Sequence, residues 1–216
     1  MIAVIDCGVG DPRGVREALR FVGAPCEITA SARRIATASG VVLPGPGTFR
    51  GCMANLHVRG LAGPVRAAAL EALLGRRPFL GIGPGMHVLF GASEECPGGP
   101  DMPGEPGLGL LPGRVEELRP VPVEPHLKFP HMGWNSVSLR KRCGIFSGIP
   151  EGAFFYFVHS FFVRAEEPGD VAARTAYGAA FDAAVTRALL SGTQFQPEKS
   201  GETGLLLLKN FMELSK

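Results

Sequence analysis

The chain has 216 residues, 45% of them hydrophobic and 19% charged, with a formal net charge of +2. That length and apolar content suit one well-buried α/β domain over 1–216, and a second domain is not expected. The near-neutral balance, with Lys and Arg dispersed, gives no electrostatic case for nucleic acid, and no apolar run approaches the about 20 residues a membrane-crossing helix needs.

The chain opens directly on strand-like Ile2-Ala3-Val4-Ile5, with no charged leader or cleavage site, so a cytoplasmic setting is expected. Further strand-like runs fall at 26–29, 40–43 and 79–82, the first run reaching residue 6. Between them, 13–22 reads as a helix with Val15, Leu19 and Val22 on one face, and 61–74 as another, with Pro64 tolerable only in its first turn. Alternation of this kind predicts parallel βαβ units with helices on both faces of a sheet. From 96 to 113 the chain is dense in Pro and Gly and reads as a surface loop. Strands are then expected at 114–118, 153–163, 171–176 and 182–190, several of them antiparallel at the sheet margin, before a largely buried closing helix over 204–214.

Five cysteines, Cys7, Cys26, Cys52, Cys96 and Cys143, are scattered and lack CxxC spacing, which argues against a disulfide framework and a zinc site. Asp101, Glu105, Glu116 and Glu117 form no metal pattern, so no metal or cofactor is expected.

The most informative stretch is Pro78-Phe79-Leu80-Gly81-Ile82-Gly83-Pro84-Gly85-Met86-His87. An apolar strand runs into a tight glycine turn and then into helix-compatible residues, the arrangement that presents a catalytic side chain at a sheet edge. No nucleophile stands there. Gly81, Gly83 and Gly85 do not make a dinucleotide loop either: the full G-x-G-x-x-G spacing is missing, and Pro84 removes an anion-binding N–H.

This segment resembles the elbow of the class I glutamine amidotransferases, in which a cysteine attacks the glutamine amide; Gly83 takes the cysteine's place. Gly192-Thr193-Gln194-Phe195-Gln196-Pro197-Glu198-Lys199-Ser200 is similar to the family's general-base segment, where a histidine precedes Pro-Glu. Gln196 takes the histidine's place, and Glu198 is retained. Four more segments follow in family order: Ile2-Ala3-Val4-Ile5-Asp6-Cys7-Gly8-Val9-Gly10, Leu43-Pro44-Gly45-Pro46-Gly47-Thr48-Phe49, Pro130-His131-Met132-Gly133-Trp134-Asn135 and Phe155-Tyr156-Phe157-Val158-His159-Ser160. Together they most resemble the glutaminase subunits of imidazole glycerol phosphate synthase, which supply ammonia from glutamine to a cyclase in histidine biosynthesis.

The resemblance implies a flavodoxin-like, mostly parallel central sheet with helices on both faces and antiparallel additions in the second half. It implies substrate contacts from Gly45, Pro46, Gly47, Pro84, His87, Ser160 and Phe161. It also implies a heterodimeric face, formed by Pro130, His131, Met132, Gly133, Trp134 and Asn135, toward the TIM-barrel cyclase subunit.

Amide hydrolysis through a covalent intermediate needs an activated nucleophile, a base within reach and donors for the oxyanion. Glycine at 83 has nothing to attack with, and glutamine at 196 has no nitrogen that titrates near neutral pH. The residue after an elbow nucleophile normally offers its N–H to the oxyanion, and here it is Pro84; the second implied donor position is Pro46. The expectation is a pseudo-glutaminase without activity, whose binding of glutamine is not assured. Two alternatives stay open: an active amidotransferase with a substitute nucleophile such as Cys7, and a scaffold or small-ligand-binding module.

Overall fold

The computed structural model of the protein describes residues 1–8, 11–45, 47–95, 106–119 and 127–216. In the first part, β1 (Ile2–Ile5), β2 (Cys26–Thr29), β3 (Gly40–Leu43) and β4 (Phe79–Ile82) alternate with α1 (Pro12–Phe21), α2 (Ala32–Thr37), α3 (Phe49–Val58) and α4 (Ala62–Leu73). The four strands pair in parallel in the order β2-β1-β3-β4. Asp11 starts α1 by accepting the N–H groups of Arg13 and Gly14, with Pro12 in the first turn, where its missing N–H costs nothing. Pro64 likewise sits in the first turn of α4.

Strand alternation divides the core between the two faces of the sheet. Val4, Val42, Leu80 and Ile82 face α1 and the C-terminal helix, while Ile5, Val41, Leu43 and Phe79 face α3 and α4. All four residues of β4 are buried, as a central strand covered on both sides requires. Helices α2 and α3 are absent from the sequence expectation. The α3 signal was present in Thr48, which caps Gly51 N–H at 2.9 Å, followed by buried Phe49, Cys52, Met53 and Leu56 at helical spacing.

The second part contains α5 (Pro84–His87), β5 (Phe90–Ser93), β6 (Leu111–Glu117), β7 (His131–Ser136), β8 (Ser138–Leu139), β9 (Phe154–His159), β10 (Phe161–Ala165), β11 (Val171–Tyr177), β12 (Ala179–Arg187), β13 (Leu190–Thr193) and α6 (Gly201–Leu214). Strand β13 adds to β4 in parallel, and β12, β10 and β6 continue the sheet antiparallel from there. A separate antiparallel ribbon joins β7 to β9.

Three expected boundaries are corrected. The strand expected over 153–163 is two strands that break at Ser160, because β9 pairs with β7 and β10 with β6 and β12. The run over 182–190 belongs to β12 and to the start of β13, with a turn at Ala188, whose φ is 53°. The loop expected over 96–113 ends early, since β6 already begins at Leu111; Cys96, Asp101 and Glu105 lie outside the described residues. Helix α6 buries Leu207, Leu208 and Phe211 but leaves Leu205 and Leu206 half-buried, so it is amphipathic where a largely buried helix was expected. Among the described residues, no helix is long and apolar enough to cross a membrane.

Candidate functional site

The turn from β4 into α5 is built on Gly83, which has φ 55° and ψ −123°. Its N–H donates to the Thr193 carbonyl at 2.7 Å, and its carbonyl accepts from His87 N–H at 3.0 Å. An L side chain is strained at that φ, and a Cβ placed there would lie 2.7 Å from the Gly45 carbonyl oxygen. Side chains at Gly81, Gly85 or Gly45 would collide with neighbouring backbone, so these glycines let the turn pack directly on the end of β3. The turn offers an anion little: the Gly83 N–H is engaged and Pro84 has none.

Beside this turn lies a cavity of about 380 Å³. Its wall includes Gly45, Gly47, Gly83 and Pro84 from the glycine-rich side. His87, Ser160, Phe161 and Gln196 close it from the other elements. Pro46 lies outside the described residues. Glu198 does not line the cavity: its carboxyl stem lies toward the start of α1, beside Gly14 and Asp11.

His87 is buried, and its Nε2–H donates to Gln194 Oε1 at 2.8 Å, since that oxygen can only accept. Burial pushes its pKa down to about 4, partly opposed by this bond, so the ring is neutral. Burial pushes Glu198 the other way, up to about 7, and its Oε2 is buried without a hydrogen-bond partner among the described residues. Gln196 Oε1 and Gln194 Nε2 are also buried and unpaired among the described residues, and no hydrogen bond joins the Gln196 and Glu198 side chains. A carboxylate that could orient a base therefore does not reach the side chain at 196.

Five residues of this cavity, Thr48, Glu95, Val158, His159 and Gln194, are absent from the site residues expected from the sequence. Gln194 stands two positions before Gln196, just past the end of β13; both line the cavity, while Phe195 between them packs into the core. Thr48 caps α3 at the rim, a signal readable from sequence. Glu95 lines the wall while accepting the Phe49 N–H; burial raises its pKa, and bonds from the Phe49 and Arg50 backbone oppose that. Its sequence neighbours give no hint of this.

Cys7 and Cys52 are fully buried, neither lines the cavity, and their thiols contact each other, which with burial holds the Cys52 pKa well above the usual thiol value. A substitute nucleophile gains no support from this placement. Among the described residues, no group of His, Cys, Asp and Glu side chains is arranged to hold a metal.

The 130–135 segment divides between two surfaces. Pro130 lines the cavity, His131 is buried, Gly133 takes φ 136° and Asn135 is half-buried, whereas Met132 and Trp134 are 61% and 55% exposed. A core role for Trp134 is excluded. Phe154, at 57% exposed, stands two residues from Tyr156 on the same face of β9, and Tyr156 pairs with Trp134, so the ribbon presents an apolar outer face.

The model of the family described as glutamine amidotransferase class-I matches residues 3–214. The chain is 43% identical over 213 residues to imidazole glycerol phosphate synthase subunit HisH of Moorella thermoacetica, covering 99% of this chain and 94% of that one. It is 42% identical over 214 residues to the HisH subunit of Geobacter metallireducens, covering 97% and 96%. Among solved structures, a glutamine amidotransferase superposes with a TM-score of 0.72 at 18% identity, over 100% of this chain and 99% of that one. The glutaminase domain of Trypanosoma brucei CTPS with bound acivicin superposes with a TM-score of 0.66 at 16% identity, over 99% and 92%. At such identities the structures speak to the fold alone: a class I glutamine amidotransferase-like α/β sheet with antiparallel additions.

Proposed function

The chain belongs to the class I glutamine amidotransferase family, and from that premise we propose that it is a noncatalytic glutaminase-like subunit that docks on a cyclase barrel. The observation that carries the reading is the pair Gly83 and Gln196, at the places where the family resemblance implies nucleophile and base. Both line the cavity, and at these two positions there is neither a side chain able to form an acyl intermediate nor one able to relay a proton. Pro84 supplies no N–H to a developing oxyanion, and one such donor is typically worth about 2.7 to 4 kcal/mol of transition-state stabilisation. Glu198, without a hydrogen bond to residue 196, has no base to orient.

The subunit role rests on the HisH relatives, which are named as subunits of imidazole glycerol phosphate synthase. The exposed Met132, Trp134 and Phe154 face is the surface that a barrel partner would cover, since exposed aromatic and Met side chains are favoured interface anchors. In this reading the protein is a single cytoplasmic domain in a heterodimer, capping the ammonia entrance of its partner or competing with an active counterpart.

The test is covalent labelling by a glutamine-analogue electrophile, followed by intact mass. No adduct is expected on the native protein; a stoichiometric adduct on Cys7 or any other residue would overturn the noncatalytic reading. A binding-module reading is favoured only by the persistence of the cavity itself, with Glu95 and His87 in its wall. Thermal shifts with metabolites other than glutamine test it.

A further inference from the structure

From Arg114 to the C-terminus the chain carries seven arginines. Five of them, Arg114, Arg119, Arg164, Arg174 and Arg187, meet a carboxylate at ion-pair distance. Arg140 and Arg142 are the exceptions: both are exposed, and among the described residues neither guanidinium has an acidic or hydrogen-bonding partner. Both line a second cavity, of about 1050 Å³, whose wall is drawn from residues 139–151 and shares none with the cavity beside Gly83.

The backbone that carries the two arginines is tied down. Arg140 N–H donates to the Ala172 carbonyl at 2.8 Å, and Lys141, between them, donates from Nζ to the Thr186 carbonyl at 2.6 Å and to the Gly169 carbonyl. Glu151 is the one carboxylate in the wall, and it is engaged by Leu139 N–H at 2.9 Å. Burial raises the pKa of Cys143, against the pull of the Phe146 N–H and the Lys141 charge, so its thiol adds no negative charge. The wall thus sets three cationic side chains against one committed carboxylate, on a chain whose net charge is only +2. With the backbone held, an anion has two side chains to order on binding, which keeps the entropic cost small.

We propose that Arg140 and Arg142 form a binding site for a phosphate group, carried by a small phosphomonoester or present as the free ion. The planar guanidinium fork matches phosphate oxygens two at a time and keeps its charge at any working pH. A phosphomonoester carries a charge of about −1.5 to −2 near neutral pH, so it answers two guanidinium groups where a carboxylate answers one. The volume is comparable to that of small-molecule sites, which run to about 1,000 Å³, and leaves room for more than the phosphate. Leu139 and Ser147 in the wall offer an apolar surface and a hydroxyl to the rest of an ester. The site shares no residue with the Gly83 cavity or with the Met132 and Trp134 face, so it stands whether or not the chain is noncatalytic.

The test is titration of the full chain with glycerol 3-phosphate, inorganic phosphate and glycerol, followed by calorimetry and by backbone amide shifts in NMR spectra. Glycerol 3-phosphate is expected to bind saturably and to shift the amides of residues 139–148, and glycerol is expected not to bind. Tighter binding of the ester than of inorganic phosphate assigns the site to a phosphorylated small molecule, and equal binding assigns it to the free ion. Arg140→Ala and Arg142→Ala should each weaken binding about tenfold, as the loss of a charge-assisted hydrogen bond does, and the double variant should abolish it. Arg142→Lys, which keeps the charge and loses the fork, should weaken it less than Arg142→Ala. Arg164→Ala, which removes an arginine already paired with Glu116, should leave the affinity unchanged. No saturable binding of either phosphate, undiminished binding by the double variant, or shifts centred on Gly83 would overturn the proposal. Binding of a single-stranded oligonucleotide but of neither phosphate would overturn it in favour of a nucleic-acid surface. Should the double variant fail to fold, the single variants still decide.

Discussion

A Cβ on residue 83 would stand 2.7 Å from the carbonyl oxygen of Gly45, so the backbone of the loop that follows β3 crowds any side chain at this turn. The positive φ of 55° adds backbone strain to that collision. Placing a cysteine at position 83 is therefore opposed by the local structure.

Gly83→Cys should destabilise the fold by about 1 to 3 kcal/mol, the usual cost of a side chain in a sparsely populated backbone region, with urea denaturation as the measurement. It should release no glutamate. Gly83→Cys with Gln196→His should also remain inactive, because Pro84 still offers no oxyanion donor.

Three buried imidazoles set an acid limit on stability. Burial holds His87 and His131 down to about 4 and, with repulsion from His131 and His87, His159 down to about 3, against 6.5 when unfolded. A depressed folded pKa means that the unfolded chain binds protons first. The stabilisation is complete above pH 6.5 and is lost as the pH falls through 4. Chemical denaturation between pH 7 and pH 4 should show the free energy of unfolding falling by several kcal/mol, and His87→Gln should make that fall shallower.

Glu198 has the opposite sign. Its folded pKa of about 7 exceeds the unfolded 4.5, so its contribution is fully present below 4.5 and is lost as the pH rises through 7. A gap of that size corresponds to roughly 3 kcal/mol. Glu198→Gln should gain on the native protein by about that amount between pH 4.5 and pH 8, whatever constant offset the amide brings. Parallel stability curves for the two proteins would contradict the assignment.

Trp134→Ala should leave stability within about 0.5 kcal/mol of the native protein, because the ring is largely exposed. In a docked complex it should cost about 2 kcal/mol or more, a loss of roughly thirtyfold in affinity for a barrel cyclase subunit, as expected of an interface anchor. Titration calorimetry with the barrel subunit measures the loss of affinity, and urea denaturation of the free protein measures its unchanged stability.

The parallel half of the fold was readable because each strand there is a short apolar run between amphipathic stretches: the expected strands at 26–29, 40–43 and 79–82 coincide with β2, β3 and β4. Strand β5 was missed because Phe90 is followed only by Gly91, Ala92 and Ser93, which carry no alternation. The break at Ser160 was missed because two consecutive strands of Phe and Val read as one apolar run until their partners are known. In the site, glycine and proline at 45, 47, 83 and 84 announced a close backbone approach, and the structure gathers them at one cavity. Glu95 was not legible, since its place depends on a hydrogen bond to the backbone of Phe49, 46 residues away. The hydrogen bond between His131 and His159 was hidden for the same reason: only the pairing of β7 with β9 puts the two opposite each other.

The central claim is tested most directly by glutamate release from glutamine in a mixture of the native protein and a barrel cyclase subunit, with co-elution measured on the same sample. The account predicts a complex that co-elutes and yields no glutamate above a protein-free blank. Glutamate release that rises with the concentration of this chain would contradict it.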